Sequence, residues 1–376
     1  MANKKICILT TVHPASDPRI FHKQAKTLIN AGYDVSLIAQ NDKNKIVNGI
    51  KIIALPKPKN RLQRMFGLTL RVLCLSLGQK ADVYHFHDPE LISVGVILKL
   101  LGKKVIYDVH EDYARQILSK PHLPRITRNA IACLTKTIEY MSSNIFDSII
   151  TATDDILKNF THHKKAIIVR NFPALSTYLY VKKLNDNERD VFSLIYVGGV
   201  TEIKGITQII KALEFIDSNR KFKLILYGRF YPPDYEKEVR GLKGFEKVEY
   251  LGWKDPHDIP EFLIRADAGI ICFLPEPNYI KAMPIKLFEY MATGLPVIAS
   301  NFPLWIKIVE GNKCGICVDS LKPEDIAKAI KYLMDHPRIR KEIGENGRKA
   351  VIEKYNWEKE KKKLINLYRE LLKGNN

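Results

Sequence analysis

Short apolar, β-branched runs alternate along the chain with stretches whose apolar residues recur every three to four positions. The run at residues 6–10 is followed by a helical pattern over 19–31 and a second run at 35–39, with Gly32 where a helix C-terminal glycine belongs. That is a β-α-β unit. Further strands are predicted at 50–55, 83–86, 105–108, 148–151 and 166–169, separated by helical stretches, as in a parallel sheet covered on both faces. From 173 to 189 the pattern lapses into polar residues. A second series then opens at 192–197 and continues at 223–227, 248–251, 268–272, 297–299 and 315–318. The α/β class follows, with two Rossmann-like domains at 1–172 and 191–355, a linker over 173–190 and an amphipathic helix over 356–376. That helix carries its stripe on Leu364, Ile365, Leu367, Leu371 and Leu372, and periodicity does not say which domain it packs against. The length of 376 residues suits two domains, although a single large barrel also fits it.

Apolar residues make up 46% and charged residues 27%, ordinary globular usage that excludes a largely disordered chain. The formal charge of +19 does change the picture, and it is uneven: residues 1–200 carry 29 Lys and Arg against 16 Asp and Glu. Such a surface attracts nucleic acid, anionic lipid or phosphorylated substrates, and charge alone does not choose among them. Two basic helical stretches with interleaved apolar residues, 57–71 and 120–136, suit peripheral contact with anionic lipid, the alternative being a solvated helix face. No apolar run is long enough to span a bilayer, and the N-terminus enters its first strand without a secretory segment. With six cysteines mostly inside apolar runs, a cytoplasmic location is expected. Cys314 and Cys317 form a lone C-x-x-C without the second ligand pair of a structural zinc site, so no metal is expected.

The sharpest chemical signal is the segment from Asn278 to Ile298. Pro284 suits the first helical position and Gly294 the C-terminal end, bracketing a helix of about ten residues. The first-turn N–H groups of Ile285, Lys286 and Leu287 would form an anion site reinforced by the helix dipole and the Lys286 charge, and a diphosphate fits such a site. Glu289 falls on the same face one turn deeper, within reach of nucleotide hydroxyls, or else is a surface glutamate paired with a basic side chain. A second loop, Tyr196-Val197-Gly198-Gly199-Val200-Thr201-Glu202-Ile203-Lys204-Gly205, follows the second domain's first strand. Its glycines allow close approach to a phosphate and Lys204 supplies charge, but it lacks the G-x-G-x-x-G spacing of nicotinamide and flavin sites. In the first domain two polar clusters end predicted strands: His85, His87, Asp88 and Glu90, then Asp108, His110, Glu111 and Asp112. They are candidates for hydroxyl binding or acid/base work ahead of metal binding, and the bland reading is structural histidines and strand-end caps.

The run from Pro284 to Ser300, the Gly198 to Gly205 loop and the helix start Tyr355-Asn356-Trp357-Glu358 together resemble retaining glycosyltransferases of the GT-B fold, family four, including bacterial enzymes of surface polysaccharide assembly. The resemblance covers nearly the whole length. It implies two Rossmann-like domains facing across a cleft, a terminal helix crossing back to the first domain, and no cofactor. Glu289 would then be the second glutamate of the family's E-x7-E pattern and bind the donor ribose, Lys204 would hold the diphosphate, and His110 would be the acceptor-side histidine. Gly198, Gly199, Thr201, Arg229, Ile285, Lys286 and Leu287 fall on the donor side, and His87, Asp88 and Glu111 on the acceptor side. The implied reaction is metal-independent transfer with retention from a nucleotide diphosphate sugar, with UDP favoured over GDP. The implied acceptor is a glycan or polyprenyl-linked glycan, at the inner face of the cytoplasmic membrane. Two positions depart from the pattern: Lys281 stands where the first glutamate belongs, and Gly199 where an arginine is usual. Arg229 or Lys286 is then a candidate for the lost charge, and Glu276 or Asn278 for the lost carboxylate. A non-catalytic glycan-binding protein of the same fold remains an alternative. So does a basic nucleic-acid binder, against which stand the paired α/β domains and the lack of a nucleic-acid-binding signature.

Overall fold

The computed structural model describes residues 3–118, 124–178, 191–217, 221–253 and 258–373. It divides into two compact units, one made of Met1–Asn171 with Trp357–Asn376 and the other of Phe172–Asn356. Of the stretch expected as a linker, residues 179–190 lie outside the described residues, as do 120–123 of the second basic stretch.

The first unit is built on an eight-stranded sheet. Its strands are β1 (Lys5–Pro14), β2 (Asp34–Gln40), β3 (Lys45–Val47), β4 (Ile50–Leu55), β5 (Val83–Phe86), β6 (Lys104–Val109), β7 (Ser148–Thr151) and β8 (Ala166–Ile168), in the order β3-β4-β2-β1-β5-β6-β7-β8. All neighbours are parallel except β3 and β4. The sequence pattern missed β3, which is short and exposed, yet its signal was present: Asn48-Gly49 form the two-residue loop of a hairpin, with φ of 52° and 81°. Helices Thr69–Gln79, Ile92–Leu100 and Arg125–Ser143 lie side by side on one face. The crossover from β1 to β2 places the helical segment Pro18–Asn30 on the other face, where the C-terminal helix Trp357–Lys373 joins it. The first helical segment ends as expected, with Gly32 in the left-handed region and its N–H donating to the Ile29 carbonyl at 2.9 Å.

The second unit holds six parallel strands: β9 (Phe192–Val197), β10 (Phe222–Tyr227), β11 (Val248–Gly252), β12 (Ala268–Ile271), β13 (Val297–Ser300) and β14 (Gly315–Val318), in the order β11-β10-β9-β12-β13-β14. In both sheets the chain runs outward in one direction and then restarts beside the first strand, so the order reverses between β1 and β5 and between β9 and β12. Loops leaving the C-terminal ends of strands diverge at such a switch point and open a crevice for ligands. Several of the sequence-expected site residues, Lys204, Lys286, His87, Asp88 and His110 among them, lie around these two points.

Candidate active site

In the second unit the crevice between β9 and β12 is lined by two lysines. Gly198 and Gly199 leave β9, and Gly198 adopts φ 131°, so its bare Cα lets Lys286 approach; a Cβ there would run into Lys286 Nζ. A Cβ at Gly199 would lie 3.0 Å from Lys204 Nζ. Both ammonium groups therefore sit against this glycine pair. Lys204 ends a short turn capped by Gly205 at φ 71°, which packs so tightly on the Cys272 carbonyl after β12 that only glycine fits. Lys286 lies over the ring of Tyr196 at 4.7 Å and of Phe273 at 5.6 Å, while Tyr196 donates its hydroxyl to the Gly199 carbonyl at 2.9 Å. Burial lowers the Lys204 ammonium below its ordinary value. Burial, and then the charge of Lys204, push Lys286 down to about 7 against the opposing pull of Glu289. Two buried amines set against the same glycine pair, one with its pKa pushed down to about 7 by burial and then by the other's charge, make a site poised for a multiply charged anion.

The helix behind this pair runs Ile285–Ala292, with Pro284 as its N-cap rather than its first residue. The Leu287 N–H turns back to the Pro284 carbonyl at 3.1 Å, so of the three amides expected to face an anion, those of Ile285 and Lys286 are left to the helix start. Gly294 closes the helix at φ 72°, with Leu295 N–H donating to the Tyr290 carbonyl at 2.9 Å. Glu289 accepts a 2.8 Å hydrogen bond from the Tyr178 hydroxyl, which burial and the Glu289 carboxylate hold well above the usual tyrosine range. Its partner is thus a buried hydroxyl. Periodicity could not have found Tyr178, which stands over 100 residues upstream.

Other donor-side candidates fall elsewhere. The Arg229 guanidinium stacks over the Trp253 ring at 4.9 Å. Thr201 caps the turn that carries Lys204, its carbonyl accepting the Lys204 N–H at 3.1 Å and its buried hydroxyl without a hydrogen-bond partner among the described residues. Lys281 is exposed and ends the short helix Pro277–Ile280, and the exposed Glu276 begins it.

In the first unit a polar cluster fills the crevice between β1 and β5. Alternation points His85 and His87 from β5, and Asp108 and His110 from β6, to one face, against Arg19 and Gln24 of the helical segment there. Asp108 is fully buried and accepts from Arg19 at 2.9 and 3.1 Å and from Gln24 Nε2 at 2.5 Å. His85 Nε2 and His110 Nε2 lie 3.5 Å from its two oxygens. Burial opposes charge on Asp108, but Arg19 and then His110 hold it well below the usual carboxylate range. His87 Nδ1 pairs with His110 Nε2 at 2.9 Å. Burial, and then the neighbouring His85, push His87 well below the ordinary histidine value, and burial lowers His85 as well. Of the three, His110 reaches solvent, with 14% of its side chain exposed against 0% for His85 and His87.

Asp88 braces the C-terminal half of β1. One of its oxygens accepts from Thr10 Oγ1 at 2.8 Å, Thr11 N at 2.6 Å and Val12 N at 3.2 Å. Glu111 is exposed and accepts from Gln116 at 2.6 Å. His13, which the sequence reading passed over, lies 5.6 Å from His110 ring to ring. Burial disfavours its charge, yet the hydrogen bond to Asp17, with Asp88 and Glu111 nearby, raises it above the usual value. His85, His87 and Asp108 bring ligand atoms within 4.8 Å of one another. The Arg19 guanidinium already occupies that carboxylate, and its charge opposes a metal cation there.

Two open sheets, the second parallel throughout and the first parallel but for its edge strand β3, each with a polar site at its switch point, define a tandem Rossmann-like protein of the GT-B class. Residues 19–170 match the model described as Glycosyltransferase Family 4, and residues 181–350 match that described as Glycosyl transferases group 1. Two uncharacterized glycosyltransferases of Methanocaldococcus jannaschii are 29% and 26% identical, over 47% and 77% of this chain and 44% and 84% of their own lengths. A capsular polysaccharide biosynthesis glycosyltransferase of Staphylococcus aureus, CapM, is 27% identical over 52% of this chain and 49% of its own length. The chain thus spans less than half of the first and last of these relatives. Sucrose-phosphate synthase from Thermosynechococcus elongatus shares the fold at TM-score 0.79 and 18% identity, over 99% of this chain and 100% of that one. Anabaena HepE in complex with UDP-glucose shares it at 0.70 and 16%, over 98% and 99%. The chain belongs to the GT-B glycosyltransferases, of the family four type.

Proposed function

We propose that the protein transfers a sugar, with retention of anomeric configuration and without a metal, from a nucleotide diphosphate sugar to a glycan or lipid-linked glycan of a surface polysaccharide. The observation that carries this reading is the lysine pair Lys204 and Lys286 set against Gly198 and Gly199, one helical turn from Glu289. In the reaction the bond between the anomeric carbon and the diphosphate oxygen breaks. The acceptor hydroxyl bonds the same carbon from the face the diphosphate leaves, and its proton passes to the departing diphosphate. The two ammonium groups and the amides of Ile285 and Lys286 stabilise the charge that develops on the leaving group. Glu289, oriented by Tyr178, takes the ribose hydroxyls, and His110 stands on the acceptor side with His87 and Asp108 behind it. HepE, whose structure contains UDP-glucose, supports a UDP sugar as donor, and CapM, named for capsular polysaccharide biosynthesis, supports a surface-glycan product.

Anionic lipid is the proposed surface on which the acceptor is met. The three adjacent helices of the first unit, with the helical segment Gln63–Leu68 that leads into the first of them, expose Phe66, Leu70, Leu100, Ile126, Leu134 and Met141 among arginines such as Arg71 and Arg128. Among the described residues no helix is long and apolar enough to cross a membrane.

Lys204→Ala and Glu289→Ala are expected to abolish transfer from UDP-glucose and related donors while leaving the melting temperature of the free protein within a few degrees of wild type. Product formed by purified protein is followed by chromatography and its anomeric configuration by proton coupling. Wild-type turnover in both variants, or an inverted product, would overturn the proposal.

A further inference from the structure

The C-terminal helix does more than cover the first sheet. Its buried face reads Trp357, Glu360, Leu364, Leu367, Tyr368 and Leu371, a helical stripe interrupted by one carboxylate and one hydroxyl, both with partners in the first unit. Trp357 Nε1 donates to Thr27 Oγ1 at 3.0 Å, Glu360 accepts the Arg170 N–H at 2.9 Å, and Lys104 Nζ bonds the Leu371 carbonyl. These three contacts fix the helix along its length. Between them Tyr368, fully buried, places its hydroxyl 2.8 Å from His85 Nδ1.

The charges around the pair favour one donor and acceptor pattern. Burial, and then the charge of Asp108, hold the Tyr368 hydroxyl well above its ordinary value, so it keeps its proton. The other nitrogen of His85 faces the Asp108 carboxylate, 3.5 Å away, where a lone pair would be repelled and an N–H is attracted. A Tyr368 O–H donating to Nδ1 leaves the proton on Nε2, which lies 3.5 Å from Asp108, within electrostatic reach but without a hydrogen-bond partner among the described residues. The second oxygen of Asp108 faces His110, the solvent-reaching member of the cluster.

We propose that Tyr368 is a positioning residue: its hydroxyl locks His85 in the Nε2–H tautomer, which orients Asp108 and, through it, His110 for work on the acceptor hydroxyl. This rests on the reading of His110 as the acceptor-side group. The order hydroxyl, imidazole, carboxylate, imidazole ties the last helix of the chain to the reactive end of β6.

Tyr368→Phe keeps the ring and removes the hydroxyl. The expected result is a fall in kcat of about tenfold, the scale of one buried hydrogen bond, with KM for the nucleotide sugar unchanged. Nitrogen NMR of histidine-labelled protein is expected to show His85 as the Nε2–H form in wild type and as a mixture of tautomers in the variant. Tyr33→Ala serves as the packing control, since the Tyr33 ring lies 6.0 Å from that of Tyr368, tilted at 43°, and its loss loosens the helix without touching the hydroxyl. It is expected to keep wild-type kcat. An unchanged tautomer in Tyr368→Phe, or an equal loss of kcat in Tyr33→Ala, overturns the proposal. The NMR arm is read without substrate, so it decides the role of Tyr368 even if no donor tried is turned over, a result that would count against the proposed reaction instead.

Discussion

Lys286 holds its proton weakly in the free protein, at about 7, because burial and the neighbouring Lys204 disfavour its charge. A diphosphate between the two lysines reverses both causes, supplying negative charge and restoring hydrogen bonds, so the bound protein holds that proton up to a much higher pH. Binding then carries proton uptake, and the sign follows from linkage. Below about pH 7 the ammonium is already charged and affinity is flat. Above it, one proton must be taken up for each ligand bound, and affinity falls tenfold per pH unit. Between pH 6 and pH 9 the dissociation constant of UDP-glucose should rise about a hundredfold, with about 0.9 proton taken up per ligand at pH 8.

UDP-glucose suits the measurement because its diphosphate diester keeps the same charge across this range. Isothermal titration calorimetry in two buffers of different ionisation enthalpy gives affinity and proton uptake together. Lys286→Arg, whose guanidinium stays charged throughout, is expected to bind with a flat pH profile, and Lys286→Met to bind weakly at every pH. A dissociation constant constant from pH 6 to 9 in wild type, with no proton uptake, would refute the reasoning, because it would mean that Lys286 does not meet the diphosphate.

Asp108→Asn leaves the Arg19 guanidinium, 4% exposed, without its counter-charge, and is expected to destabilise the first unit by about 3–5 kcal/mol in denaturant titration; a loss under about 1 kcal/mol would show that water or another acceptor reaches Arg19. On the opposite face of that sheet, replacing Phe66 and Ile126, 70% and 86% exposed, with aspartate should release the protein from vesicles of anionic phospholipid in sedimentation. Unchanged binding would mean that these helices do not meet the bilayer.

The strands and their two series were legible because each carries a short apolar run between turn residues. A buried parallel strand needs little else, and β4, β5, β7, β9 and β14 fall on the predicted residues. Strand β3 escaped because Ile46, its central residue, is 74% exposed, so burial left no run to read. The end of the Ile285–Ala292 helix was legible from Gly294, while its start was displaced by one residue, since proline is compatible with both the cap and the first turn. Tyr178, Tyr368 and Arg19 were not legible as site residues. Each lies far along the chain from its partner, and a lone tyrosine or arginine on a helix reads as an ordinary amphipathic position until the fold brings the carboxylate or imidazole to it.

The departure at Gly199 shows why such a site resists local reading. A missing arginine in the loop looks like a lost charge, yet beside Lys204 a second amine, that of Lys286, reaches the glycines across the switch point from a helix that enters after β12. Glycine at 198 is what makes the approach possible, for any Cβ there would displace the ammonium. The aromatic floor of Tyr196 and Phe273 then holds Lys286 in place without neutralising it. On the proposed reading, what an arginine would contribute as a permanent charge falls here to Lys286, whose pKa is pushed down to about 7. The substitution thus leaves a second cation at the site but makes its charge conditional on pH and on the ligand, which is why proton uptake, rather than affinity at a single pH, is the measurement that bears on it.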